Sequence, residues 1–205
     1  MIVIIDYGLG NARSILNMLR KIGVEAMISS NTADIEKAHK LILPGVGALK
    51  QAMINLNDLG LVSVLNKKVI IDKTPILGIC LGLQLFTKRS EEGNINGLGW
   101  IDAETVRFKF DKSRTDLKIP HMGWNLVDVK KKSHIFDGSC HDSRFYFVHS
   151  YHLLCENEQD ILSVTTHGYE FASSIERGNI FGVQFHPEKS HKFGMKLLKN
   201  FVDLI

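Results

Sequence analysis

Ile2-Val3-Ile4-Ile5-Asp6-Tyr7-Gly8-Leu9-Gly10-Asn11 begins as an unbroken apolar run and ends in an acidic residue and a glycine turn. A run with no polar alternation is the pattern of a strand covered on both faces, as in a parallel sheet. After the turn, Ile15, Leu16, Met18, Leu19 and Ile22 recur at helical spacing, and Gly23 closes the segment. Val24 to Ser29 reads as a second strand, Thr32 to His39 as a short helix, and Lys40 to Leu43 as a third strand before Pro44-Gly45. This alternation predicts an α/β fold with helices on both faces of the sheet. Downstream, Gln51 to Leu65 has helical spacing, Pro75 to Ile79 reads as a strand, and Leu81 to Thr87 starts a helix at once. From Gly99 to Ile175 the texture turns to short β-like runs: Trp100-Ile101, Glu104 to Phe108, Trp124 to Val129, Arg144 to Tyr151, Ile161 to Thr166 and Phe171 to Ile175. That half is expected to be more antiparallel. Asn179 to Phe185 adds a strand and Phe193 to Leu204 a closing amphipathic helix.

A chain of 205 residues with no internal repeat or linker fits one domain, residues 1–205. Hydrophobic residues at 44% and charged residues at 23% exclude a disordered chain. The net charge of +3 is dispersed, and the longest basic run is Lys130-Lys131-Lys132, so no nucleic-acid partner is expected. No stretch approaches the roughly 20 apolar residues of a membrane span, and the N-terminal run is too short for a signal-peptide core. Cys80, Cys140 and Cys155 are far apart with no Cys-x-x-Cys pair, which suggests reduced thiols in a cytoplasmic protein.

Three motifs carry chemistry. Gly78-Ile79-Cys80-Leu81-Gly82 places a cysteine between a strand and a helix, with glycines two before and two after. That is the form of a nucleophile elbow, in which small flanking residues relieve a crowded turn. The helix start would favour a thiolate and offer N–H groups to an oxyanion; the alternative is a buried structural cysteine. His186-Pro187-Glu188 follows an apolar strand, so a base and an orienting carboxylate would emerge at the carboxyl edge of the sheet, where α/β sites lie. A solvated turn is the alternative. In Leu43-Pro44-Gly45-Val46-Gly47-Ala48, two glycines let backbone turn an N–H toward a ligand, though an ordinary Pro-Gly turn has the same letters. Gly8-Leu9-Gly10-Asn11-Ala12-Arg13 lacks the third small residue of a dinucleotide fingerprint, so no cofactor is expected. His121, His134, His141, His149, His152, His167 and His191 show no metal-ligand spacing, and no metal site is expected.

Pro44-Gly45-Val46-Gly47, Gly78 to Gln84 and Phe185-His186-Pro187-Glu188 together resemble the oxyanion loop, elbow and His-x-Glu of the class I (triad) glutamine amidotransferases, in the same order. More narrowly, Asp6 to Asn11, Pro120 to Asn125, Tyr146 to Tyr151 and His186 to Ser190 are similar to the glutaminase subunits of imidazole glycerol phosphate synthases, end to end. The resemblance implies a flavodoxin-like three-layer α/β/α fold with a mixed, mostly parallel sheet. It implies Cys80 as nucleophile, His186 as base and Glu188 as its orienting group. Gly45, Val46, Gly47 and Leu81 would serve the oxyanion, and Gln84, Glu92, His149, Ser150 and Tyr151 would bind L-glutamine. Met122, Trp124, Tyr146 and Lys189 would face a synthase (cyclase) subunit in a heterodimer; as an alternative, the first three are core residues. Leu49 and Leu83 stand where the family commonly has Phe and Met, and both keep apolar volume. Gly99-Trp100-Ile101, Arg144 to His152 and Glu188 to Gly194 resemble a paralogous branch that supplies ammonia for amidating sugars in surface-polysaccharide biosynthesis. A cysteine peptidase on a related scaffold and a non-catalytic regulatory module are the rival classes.

Overall fold

Ile2 and Ile4 of strand β1 (Ile2–Ile5) are buried in one core and Val3 and Ile5 in another, because successive side chains of a strand leave opposite faces. The computed structural model describes residues 1–111, 113–138 and 142–205. Cys140 and His141, weighed above for thiol and metal chemistry, lie outside the described residues. The Ile2/Ile4 core packs under α1 (Ala12–Lys21), through Ile15 and Leu19. Beyond α1 come β2 (Ala26–Ser29), α2 (Thr32–Lys37), β3 (Lys40–Gly45), α3 (Leu49–Asp58) and α4 (Leu61–Asn66). Helices α2, α3 and α4 bring Ile35, Leu49, Ala52, Leu56, Leu61 and Leu65 to the Val3/Ile5 core. These two cores on opposite faces explain the unbroken apolar strands.

Then follow β4 (Ile76–Cys80), α5 (Leu81–Gln84), β5 (Arg89–Ser90), β6 (Ile95–Asn96) and β7 (Ala103–Arg107). Strands β8 (His121–Leu126), β9 (Asp128–Val129), β10 (Arg144–His149), β11 (Tyr151–Cys155), β12 (Ile161–His167), β13 (Tyr169–Arg177) and β14 (Ile180–Val183) precede the closing helix α6 (His191–Leu204). The α/β fold is three-layered, with α6 adding Leu197, Leu198 and Phe201 to the α1 face. The main sheet runs β2-β1-β3-β4-β14-β13-β11-β7-β5-β6 and is parallel from β2 to β14. From β13 onward its pairings are mostly antiparallel, matching the change of texture after Gly99. Strands β8 and β10 form a separate two-stranded ribbon.

Several boundaries differ from the sequence expectation. Strand β3 runs on through Pro44 and Gly45, in register with Ile79 and Cys80. Proline is tolerated because pairing with β1 stops at Ile42 and the Pro44 carbonyl takes the Tyr7 hydroxyl at 2.7 Å instead. The helix expected over Gln51 to Leu65 breaks after Asp58, with Gly60 in the left-handed conformation at φ 66°. The helix expected over Leu81 to Thr87 is a single turn: the Thr87 hydroxyl donates to the Gln84 carbonyl, and Phe86 and Thr87 close tight i to i+3 bonds. Trp100-Ile101 is a bend, not a strand; both amides donate to the Phe86 carbonyl and the indole to Asn66. The run Arg144 to Tyr151 divides at Ser150, where the chain leaves the ribbon and enters the main sheet.

Candidate active site

Four loops converge at the carboxyl edge of the parallel strands, those after β1, β3, β4 and β14. The strand order places them side by side. Cys80 ends β4 with φ 55° and ψ −109°, a conformation a non-glycine residue holds only under strain and typical of an elbow. The flanking glycines are required sterically: a Cβ on Gly78 would stand 2.6 Å from the Phe86 ring, and one on Gly82 only 1.8 Å from the Leu43 carbonyl oxygen. The sulfur is buried, with the Val148 carbonyl 4.0 Å away and the Gln184 amide nitrogen 3.6 Å away.

His186 follows β14, the neighbour of β4 in the sheet. Its Nδ1 meets Glu188 Oε1 at 2.7 Å, and both side chains are 1% exposed. The main chain holds the base too: the His186 N–H donates to the Tyr146 carbonyl, the Ser190 hydroxyl donates to the His186 carbonyl, and the Tyr146 N–H donates to that same hydroxyl. Nε2 is buried with no hydrogen bond among the described residues and is the nitrogen left for Cys80. Burial pulls the imidazole down, but Cys80 and Glu188 more than offset it and push His186 up to about 10. Burial raises the Glu188 carboxyl, yet His186 and then Asn11 hold it below the usual range. The arrangement is that of an imidazole set between a cysteine sulfur and a carboxylate, the order a base and its orienting group need.

Gly45 pairs with Cys80 across β3 and β4, and its α-carbon is packed so that a Cβ would lie 2.6 Å from the Tyr7 hydroxyl and 2.7 Å from Leu81 Cβ. Val46 is half-buried and Gly47 exposed at φ 114°, so the loop opens to solvent beside Leu81 and the sulfur. The structure thus sets Gly45 and Leu81 beside Cys80, with Val46 and Gly47 following on the same loop. Glu92 accepts the Leu49 N–H at 2.7 Å, which ties it to the first turn of α3 directly after that loop. Gln84 is buried and its amide nitrogen reaches the Tyr151 carbonyl at 3.1 Å. Ser150 and Tyr151 are half-buried at the ribbon-to-sheet crossing.

His149 turns inward. Its Nδ1 bonds the Tyr151 carbonyl at 2.8 Å and its Nε2 meets His121 Nδ1 at 3.0 Å, while His121 Nε2 takes Asn125 Nδ2 at 3.1 Å. Because a carbonyl only accepts, His149 carries its proton on Nδ1, and His121 then donates from its own Nδ1. Burial holds both rings well below the usual histidine value, so both are neutral. Among the described residues no group of three or more His, Cys, Asp or Glu side chains is placed to hold a metal ion.

Residues 3–204 match the family model for glutamine amidotransferase class-I. The chain belongs to the class I glutamine amidotransferases. Across 98% of both chains it is 55% identical to imidazole glycerol phosphate synthase subunit HisH 2 of Methanococcus maripaludis. It is 52% identical to a protein of the same name from Pseudomonas aeruginosa, over the full length of both. Among solved structures, PurLQS from Thermotoga maritima superposes with a TM-score of 0.73 at 16% identity, covering 98% of this chain and 97% of that one. A glutamine amidotransferase from the same organism gives a TM-score of 0.65, also at 16% identity, over 98% and 82%. At such identities these structures attest to the fold.

On this amidotransferase, the ribbon beside the triad carries an exposed apolar face. Met122 is 62% and Trp124 46% exposed, so neither is a core residue. Tyr146 lies opposite Trp124, Lys189 Nζ sits 5.7 Å over the Tyr146 ring, and His191 stacks parallel on Trp124 at 5.4 Å. These side chains form a contiguous, largely exposed aromatic patch beside His186.

Two residues in the amidotransferase site escaped the sequence reading. Gln184 is fully buried at the end of an apolar run covered on both faces, where a polar side chain is itself the signal. Asn11 donates to Glu188 Oε1 at 3.0 Å from the loop after β1. It occupies the position before α1 yet makes no side-chain cap, so its amide serves the carboxylate instead of the helix. The strand order 2-1-3-4, which sets the β1 loop beside the β3 loop, could have pointed to it. Asn11→Ala is expected to lower glutamine turnover about tenfold, the scale of a lost hydrogen bond to a charged group, with little change in melting temperature. Steady-state kinetics with a thermal melt checks both halves, and a large drop in melting temperature would show that the amide is structural instead.

Proposed function

We propose that this chain is the glutaminase subunit of an imidazole glycerol phosphate synthase, hydrolysing L-glutamine to glutamate and ammonia and passing the ammonia to a synthase (cyclase) subunit. The observation that carries the chemistry is the buried group Cys80, His186, Glu188, in which Nδ1 of the imidazole is held by the carboxylate at 2.7 Å and Nε2, with no other partner among the described residues, is left for the sulfur. Cys80 Sγ attacks the side-chain amide carbon of glutamine, and the oxygen charge is met by backbone around Gly45, Val46, Gly47 and Leu81. His186 gives its proton to the leaving nitrogen, the C–N bond breaks and ammonia departs, leaving a glutamyl thioester. Water, deprotonated by His186, then releases glutamate. In this reading Gln84, Glu92, His149, Ser150 and Tyr151 would bind the amino-acid end of glutamine. The full-length identity to HisH subunits supports the choice of partner, and the exposed patch around Trp124 supports docking next to the triad.

A second reading stays open on the acceptor. The relatives at 55% and 52% identity both bear the numeral 2 in their names, as an additional copy would. A second copy is free to send its ammonia to a sugar intermediate of surface-polysaccharide synthesis. Co-purification with the physical partner, followed by glutamine turnover with each class of acceptor, separates the two. Turnover is expected to be low for the isolated chain and to rise at least about tenfold when the partner carries its imidazole-forming substrate, within the usual range of coupling between sites. Stimulation by a sugar nucleotide alone would select the second reading, and full activity without any partner would refute both.

A further inference from the structure

The last apolar run, Ile180-Phe181-Gly182-Val183-Gln184-Phe185, contains one polar side chain, and it is completely buried. A buried amide survives only if both ends are bonded. The Gln184 oxygen lies 3.1 Å from Gln84 Nε2, and its nitrogen lies 3.6 Å from Cys80 Sγ. The assignment of the two ends follows from one backbone atom. The Tyr151 carbonyl, 3.1 Å from Gln84, can only accept, so the Gln84 end facing it is the NH2 group. An NH2 group can only donate, so the Gln184 atom facing Gln84 is oxygen. The other end of Gln184, the one turned to the sulfur, is therefore its N–H.

We propose that Gln184 is a further catalytic residue of this glutaminase, donating its side-chain N–H to Cys80 Sγ and so holding the nucleophile as the thiolate. The inference rests on the reading of Cys80 as nucleophile. A thiolate is a far better acceptor than a thiol, so this bond selects the charged form. The protonated sulfur has its own partner in the Val148 carbonyl at 4.0 Å. Each protonation state of Cys80 thus has a distinct neighbour. Helix α5 is a single turn and supplies little of the dipole that an elbow cysteine on a long helix enjoys, so a discrete donor is needed to stabilise the charge alongside His186. During attack the charge leaves sulfur for the carbonyl oxygen and this hydrogen bond relaxes. Its role is to fix how much thiolate is present at neutral pH, not to bind the tetrahedral intermediate.

The test uses the intact complex with its synthase partner, in wild-type form and as the variants Gln184→Met and Gln184→Glu. Alkylation of Cys80 by iodoacetamide is followed against pH by peptide mass spectrometry, beside kcat and KM for glutamine. Gln184→Met should move the alkylation midpoint upward by about 1 to 2 pH units and lower kcat/KM about 10- to 100-fold at neutral pH, with part of the loss recovered at higher pH. Gln184→Glu, with a carboxylate beside the sulfur, should lose more. An unmoved midpoint in a folded variant would overturn the proposal. Should the variants not fold, the wild-type side-chain amide signal of Gln184, followed by NMR, must shift with the Cys80 midpoint and lose that titration in Cys80→Ala; a flat signal overturns it equally. Hydrolysis that survives Cys80→Ala would refute the nucleophile itself, a separate outcome.

Discussion

Replacing Cys80 with alanine is expected to cut glutamine hydrolysis by about ten-thousand-fold or more, the usual cost of deleting a nucleophile that acts as part of a unit. The fold should persist. Cys80 is held at φ 55° by the elbow, and alanine bears the same backbone strain as cysteine there, so only the sulfur contacts are lost. The partner complex should still form product when ammonia is supplied directly, because that step bypasses the thioester. Cys155 cannot substitute, since burial pushes its thiol up to about 12 and keeps it protonated at neutral pH. Ammonia release from glutamine, measured with and without added ammonium salt in the acceptor reaction, checks both halves. Hydrolysis at an undiminished rate would mean another group attacks the amide.

Gly82→Ala should be the most damaging single methyl in the molecule's catalytic edge. The new Cβ would stand 1.8 Å from the Leu43 oxygen and 2.8 Å from its carbonyl carbon. Those atoms belong to the backbone of β3, which at Leu43 is paired with Gly78 of β4, so no side chain can rotate away. Either the elbow lifts or the strand bends, and each displaces the oxyanion loop from the sulfur. A loss of at least about 3 kcal/mol is expected, or roughly 10 °C in melting temperature for a chain of this size, together with loss of turnover. Gly47→Ala is the contrast: nothing lies within 4 Å of its Cβ, and the only cost is the φ of 114°. Calorimetry of the two variants side by side decides the matter, and equal melting temperatures would contradict the packing argument.

The parallel half of the fold was legible because β1, β3, β4 and β14 are covered on both faces and read as largely apolar runs. The placing of Cys80, His186 and Glu188 together at the sheet's carboxyl edge was legible for a related reason: Cys80 ends such a strand between two glycines, and His186 and Glu188 come just after another. What sequence spacing left hidden depends on contacts between distant segments. Asn11 and Glu188 are 177 positions apart, and nothing local to Asn11 announces the bond. The stop after Gln84 rests on a threonine hydroxyl that captures a carbonyl, a competition invisible to periodicity. The division at Ser150 was missed because both strands it joins are β-like, and only the pairing partners distinguish them.

The ribbon of β8 and β10 stands outside the main sheet, yet Tyr146 belongs to it: its carbonyl accepts the His186 N–H at 2.9 Å and its N–H donates to the Ser190 hydroxyl at 3.0 Å. His186 is therefore moored to the ribbon whose aromatic face is exposed. Hydrogen bonds of that length lose strength within a few tenths of an ångström. A rigid shift of the ribbon must either drag the imidazole with it or slacken its mooring. A force on Trp124 from outside would reach His186 through that mooring, with no charge passed and no ligand exchanged.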